Sequence, residues 1–163
     1  RVRYRGSSIH VLLKASAEGD LNRIKEVLSR LGERSNAIND ADSYNRTALH
    51  VAAGEGQLEV VKLLISYNAD INMRDTYDNT PFNDAVKYHR LKVTEYLRNE
   101  HKAQLVFPPI STARILVRHA MNGDWEGIKV MVENSAQVNA CNGDGRTALH
   151  VAACDGHAEV VKG

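Results

Sequence analysis

Long apolar runs are missing from this chain. No stretch approaches the roughly 18–20 consecutive apolar residues that cross a bilayer, so no membrane insertion is expected. Neither sign of charge dominates: 21 Lys and Arg against 20 Asp and Glu leave a net charge of +1. That balance gives no electrostatic footprint for nucleic acid or for an anionic membrane. Aromatic residues make up only 6% of the 163, so the core must rest on Ala, Leu and Val, which suits short helices packed closely. Cysteine is nearly absent. Cys141 and Cys154 are the two, too few for a disulfide framework and without the further ligands at fixed spacing that a metal site needs. They read as free thiols in a reducing compartment, which points to the cytoplasm.

Chemistry-bearing motifs are missing too. The chain has no G-x-S-x-G, C-x-x-C, H-E-x-x-H, phosphate-binding loop or G-x-G-x-x-G, so no catalytic residue, cofactor or metal is expected and the chain is not read as an enzyme. Asp84 and His89 stand five residues apart near a helix end. That spacing gives an acid–base pair no defined geometry, and both are expected to be polar surface. Asn45-Arg46-Thr47 matches a glycosylation acceptor, but Thr47 stands where a helix cap is needed.

What is present is repetition. Residues 47–62 read T-A-L-H-V-A-A-G-E-G-Q-L-E-V-V-K, and residues 147–162 read T-A-L-H-V-A-A-C-D-G-H-A-E-V-V-K, identical at twelve of sixteen positions. The dyad Ala52-Ala53 with Gly56 recurs as Ala15-Ser16 with Gly19, Ala85-Val86 with His89, His119-Ala120 with Gly123, and Ala152-Ala153 with Gly156. Taking Thr47 as marker, the five starts are His10, Thr47, Thr80, Arg114 and Thr147, at steps of 37, 33, 34 and 33. Each unit pairs two short helices around the glycine, and turn residues such as Asp42-Ser43-Tyr44-Asn45 separate the units. Thr80-Pro81 is an N-cap followed by proline at the first helical position. Residues 1–6 read as a basic, solvated lead-in. Residues 104–113, Q-L-V-F-P-P-I-S-T-A, form a seam in which Pro108-Pro109 favours an extended path. There Leu105, Val106, Phe107 and Ile110 are expected to pack or to bind. The chain starts at Arg1 without Met and stops at Gly163 inside a unit, so it reads as a fragment, with a further unit expected beyond it.

A period of 33 residues carrying T-A-L-H-x-A-A-x-x-G resembles the ankyrin repeat. Asp42, Arg46 through Ala53, Glu55, Gly56, Asn79, Thr80, Pro81, Asp84, Ala85, His89 and Val93 are similar to a subtype found in animal glutaminases and beside plant kinases and potassium channels. The resemblance implies an all-α ankyrin-repeat solenoid of stacked helix-turn-helix units, with about five repeats and the last incomplete. Their bounds are about 8–41, 42–74, 75–104, 111–140 and 141–163, in a single domain. It also implies that His50 and His150 hold neighbouring turns together by hydrogen bonds.

Such a stack binds through its concave face, where the finger turns and the exposed side of the first helices are free to vary. The expected contact residues are Tyr44, Arg46, Glu55, Arg74, Tyr77, Asn79, Lys87, Tyr88, Asn122, Asp144, Arg146 and Asp155. Tyrosine and arginine supply rigid area and directed hydrogen bonds. The expected function is therefore protein–protein recognition, of a separate partner or of another domain of the same polypeptide. The alternatives are a regulatory or oligomerising segment of a larger enzyme, kinase or channel, or a structural component of a large assembly.

Overall fold

The structure, a computed structural model, describes residues 3–31, 37–105 and 109–162. Among the described residues ten α-helices run in order: α1 (Arg3–Glu18), α2 (Leu21–Leu31), α3 (Ala48–Glu55), α4 (Leu58–Ser66), α5 (Pro81–Lys87), α6 (Leu91–His101), α7 (Pro109–Met121), α8 (Trp125–Glu133), α9 (Ala148–Cys154) and α10 (Ala158–Lys162). A short 3-10 turn covers Ala37–Asn39. Among the described residues the only β-type pairing is an isolated bridge between Ala41 and Thr47.

The chain divides into two compact units. One holds residues 1–85 and 90–103, the other residues 86–89 and 104–163. In the first unit α1 packs on α2 and α3, and α3 on α4. Leu12, Ile24, Leu49, Val61, Leu64, Phe82 and Leu97 are buried there with almost no exposed surface, and Ala48, Ala52 and Ala53 let the helices approach closely. In the second unit α7 packs on α8 and α9, and α9 on α10, around Leu116, Ala120, Ile128, Met131 and Ala152.

Helix length follows the cap. Thr47, Thr80 and Thr147 each stop the first helix of their repeat from extending upstream. Thr47 and Thr147 form capping boxes in which a histidine three residues on, His50 or His150, takes the role usual for Glu or Gln. At Thr80 the partner is Asn83, whose amide donates to the threonine oxygen at 3.3 Å. These helices span 8, 7 and 7 residues. Repeats one and four carry His10 and Arg114 at the marker, with apolar Leu13 and Val117 where the cap partner would stand. Nothing stops those helices there, and α1 and α7 run for 16 and 13 residues.

Two expectations change as a result. The lead-in is helical from Arg3, because α1 begins there. The seam is helical from Pro109, which occupies the first position of α7, where a missing N–H leaves no bond unmade. Leu105 is half-buried, whereas Val106 and Phe107 lie outside the described residues. Asp84, expected at the surface, is buried.

The glycine at the end of the first helix of repeats one, two and four serves two ends. Gly19, Gly56 and Gly123 have φ of 77°, 79° and 64°, a region that disfavours any Cβ. A Cβ would also stand 2.7 Å from Gln57 Oε1, 2.9 Å from Arg90 Cδ and 2.8 Å from His157 Nδ1, respectively. Those three side chains open the second helix of the following repeat, and each donates back across the glycine. Gln57 Nε2 donates to the Ala17 carbonyl at 3.0 Å, Arg90 Nε to Gly54 at 2.7 Å, and His157 Nε2 to Met121 at 2.9 Å. Repeats one and four have aspartate at this position, and each carboxylate caps its own helix instead. Asp20 accepts from the Arg23 amide and Asp124 from the Gly127 amide, both at 2.9 Å.

Candidate protein-binding surface

The finger turns are built on one residue each. Asp42 Oδ1 accepts from the amides of Tyr44 and Arg46, both at 2.9 Å, and Oδ2 accepts from Arg46 Nε and Nη2 at 3.0 and 2.8 Å. Asp75 Oδ1 does the same for the amides of Tyr77 and Asn79, both at 2.8 Å. In the second unit Asn142 Oδ1 accepts from Asp144 and Arg146 at 3.0 and 2.9 Å. With the turn's amides drawn inward to one carboxylate or amide, the residue at its tip is thrown outward. Tyr44 and Tyr77 are accordingly 53% and 69% exposed. Partial burial pushes the Asp42 carboxyl up, but the Arg46 and Tyr44 amides and the Arg46 guanidinium outweigh it and hold the group below its ordinary value.

Within the first unit, successive turns are tied together. The Thr76 amide donates to the Tyr44 carbonyl at 2.9 Å, and Asn45 Nδ2 donates to the Arg74 carbonyl at 2.6 Å. The amide of the apparent glycosylation acceptor is thus already engaged. His50 completes the tie. Its Nδ1 lies 3.2 Å from the Thr47 amide, which can only donate, so Nδ1 is the acceptor and Nε2 carries the hydrogen. Nε2 then donates to the Asn79 carbonyl at 3.0 Å. Burial holds the His50 imidazole below its ordinary pKa despite the pull of Asn79 and Asp75. His50 therefore joins neighbouring turns as the resemblance implied. His150 pairs with Thr147 in the same way but is exposed.

The predicted contact residues separate into groups. In the first unit Tyr44 and Arg46 come together, the guanidinium 5.5 Å from the ring centroid. Arg74 pairs with Asp78 at 2.7 Å. Glu55 is exposed, 3.8 Å from Arg90. Asn79 does not belong to this surface: it is buried, its side-chain amide engaged by Asp75 and its carbonyl by His50. In the second unit half-buried Lys87 lies 5.0 Å from the ring centroid of exposed Tyr88. Asp144 and Arg146 share the Asn142 turn, and Arg146 there has no carboxylate of the Asp42 kind to grip. Asn122 and Asp155 are exposed.

Two hollows were not anticipated. One, of about 580 Å³, lies in the first unit among Ile9, Leu13, Lys14, Val51, Asp42 and Arg46. The signal was present in the register, since Lys14 and Val51 occupy the same position, four residues after the marker, and face outward from α1 and α3. The other, of about 310 Å³, lies in the second unit among Trp125, Val132, Val138, Leu149 and Val161. Its apolar lining reflects a difference in cover. Leu149 is 56% exposed where Leu49 is 1%, and Val161 is 45% exposed where Val61 is fully buried. Among the described residues no three His, Cys, Asp or Glu side chains gather as metal ligands, and no helix is long and apolar enough to cross a membrane. Both cysteines are exposed free thiols.

Comparison with known proteins agrees with this geometry. Residues 12–107 match the family of ankyrin repeats (3 copies), and residues 116–162 match ankyrin repeats (many copies). Among similar curated proteins, serine/threonine-protein kinase 12 of Arabidopsis thaliana is 34% identical over 68% of this chain and 24% of its own length. The mitochondrial liver isoform of glutaminase of Mus musculus is 34% identical over 63% of this chain and 16% of its own. An L-asparaginase of Dirofilaria immitis is 30% identical over 87% of this chain and 23% of its own. A plant kinase and an animal glutaminase are thus among the relatives, as the subtype resemblance implied. The chain spans a quarter or less of the length of these relatives.

Proposed function

Because the chain belongs to the ankyrin-repeat family, we propose that it binds another protein, or another domain of its own polypeptide, through the tips of its finger turns and the outer side of its first helices. No catalysis is assigned to these residues. The observation that carries the reading is the pairing of rigidity with exposure at Tyr44 and Tyr77. Both rings project from turns closed by an aspartate, and the two turns are bonded to one another. Such rings offer large contact area from a backbone already held in place, which is what binding hot spots use. Arg46, Arg74, Lys87, Tyr88 and Arg146 extend the contact in their respective units. Balanced net charge fits a protein partner better than a nucleic acid. Exposed free thiols fit a reducing compartment such as the cytoplasm.

A second reading has support of its own. The relatives include a kinase, a glutaminase and an asparaginase, and this chain matches 16–24% of each. An accessory or oligomerising segment attached to an enzyme fits that proportion. Both readings use the same surface, and one experiment separates them. Full-length protein carrying Tyr44→Ala and Tyr77→Ala is compared with wild type for affinity-enriched partners, for turnover and for oligomeric state. Loss of a partner with assembly and turnover unchanged supports the first reading. Altered assembly or turnover with no partner lost supports the second.

A further inference from the structure

Three departures from the repeat pattern, and an aspartate shared only with repeat one, meet at one place in the second unit. Five residues after the marker, where the other repeats have Ala15, Ala52, Ala85 and Ala152, repeat four has His119. Nine after it, where the others have glycine, repeat three has His89, with φ of 62°. Ten after it, repeat four has Asp124 where Gln57, Arg90 and His157 reach back in other repeats. Thirteen after it, where Val60, Val93 and Val160 stand, repeat four has Gly127. The changes fit one another. A Cβ on Gly127 would lie 2.4 Å from His119 Nδ1, so the ring fills the space that the missing valine leaves. Asp124 is too short to reach back in the way Gln57, Arg90 and His157 do. The imidazoles of His89 and His119 stack with centroids 5.4 Å apart.

Both imidazoles address one carboxylate. His119 Nδ1 is 2.7 Å from Asp124 Oδ2, and His89 Nδ1 is 3.8 Å from Oδ1. Asp124 also caps α8 through the Gly127 amide. Partial burial pushes its carboxyl up, but the Gly127 amide and His119 bring it below its ordinary value, so it is ionised at neutral pH and only accepts. His119 Nδ1 therefore carries the hydrogen and Nε2 the lone pair. Nε2 of His119 and Nε2 of His89 are both buried with no hydrogen-bond partner among the described residues. A proton added to His119 would create a buried N–H donor with nothing to accept it.

We propose that His89, His119 and Asp124 form an acid-responsive joint that seats α7 on α8 at neutral pH and loosens as protons are taken up. The charged and titratable groups around it point the same way. α7 packs on α8 and α9. Among the described residues Asp124, at the head of α8, is the anion that acts on His119, opposed by His89 and by Arg118 on α7 itself. From α9 and the turn after it, His150 is engaged with Thr147 and His157 with the Met121 carbonyl. A proton on His119 would put its charge against the stacked His89 ring and beside Arg118, with the Asp124 carboxylate opposing them. Burial holds His119 below its ordinary pKa, with His89 and Arg118 adding to the shift against the pull of Asp124. The unfolded chain thus binds this proton first, and stability falls as pH drops below about 6.5.

The test uses the full chain in two measurements. The His119 ring resonances, followed by NMR from pH 8 to pH 5, should titrate with a midpoint below the ordinary imidazole value of about 6.5, with the accompanying amide shifts concentrated in α7 and α8. Thermal melts at pH 7.5 and 5.5 should show wild type losing about 2–4 °C more on acidification than His119→Ala/Gly127→Val, which restores the common repeat residues. His89→Gly should lie between the two. His50 is unchanged in every variant, so its own acid sensitivity cancels. An equal acid loss in wild type and the double variant, or a His119 midpoint at or above about 6.5, overturns the proposal. Should the double variant fail to fold, the titration midpoint and His89→Gly decide it.

Discussion

The imidazole of His50 and the carbonyl of Asn79, 29 residues apart, meet at 3.0 Å. One neutral ring thereby accepts from the cap of its own helix and donates to the turn of the next repeat. Replacing His50 by alanine removes both bonds and leaves the buried Asn79 carbonyl and Thr47 amide without them. The expected loss is roughly 2–3 kcal/mol in chemical denaturation. In the 163-residue chain, His150→Ala, at an exposed copy of the same position, should shift the midpoint much less.

The same residue sets a pH dependence. Burial lowers the His50 pKa, and a proton on Nδ1 would face the Thr47 amide, itself a donor. The folded state therefore binds this proton more weakly than the unfolded chain. The contribution is complete above the unfolded value of about 6.5 and fades as pH falls toward the lower folded value. Urea midpoints of wild type and His50→Ala should be far apart at pH 7.5 and closer at pH 5.5.

Gly56 and Arg90 should be energetically coupled. Gly56→Ala forces a side chain into φ of 79° and places its Cβ 2.9 Å from Arg90 Cδ; Arg90→Ala removes a 2.7 Å bond to the Gly54 carbonyl. Each should destabilise by about 1 kcal/mol or more. The double variant should lose less than the sum, because the alanine at 90 vacates the space the new Cβ needs. A double-mutant cycle in urea measures the difference.

Leu49 and Leu149 occupy the same place in the same T-A-L-H motif but differ in exposure, 1% against 56%. Leu49→Ala should open a cavity and cost about 2–5 kcal/mol. In the 163-residue chain, Leu149→Ala should have little effect on the melting temperature.

Legibility in the sequence tracked locality. The Thr caps, the glycine ends and the helix pairs in repeats two, three and five depend on residues a few positions apart, and the period exposed them. The starts of α1 and α7 were misplaced because they are defined by the lack of a cap at His10 and Arg114, and an absent stop signal does not say where a helix begins. Asn79 was placed on the surface with the other turn residues. It is buried because the Asp75 turn folds its side chain inward and His50 covers its carbonyl, a contact 29 residues distant. His89 and His119 were visible as departures from the repeat pattern, but only packing brings them onto the carboxylate of Asp124, 35 positions from His89.

The central claim is that the exposed finger tyrosines make the contact with a protein partner. The direct measurement is the dissociation constant of the full-length protein for an enriched partner, wild type against Tyr44→Ala/Tyr77→Ala, with melting temperature recorded alongside. The account predicts at least about a tenfold weaker constant, equivalent to about 1.4 kcal/mol, with the melting temperature nearly unchanged. An unchanged dissociation constant in a folded double variant would contradict it.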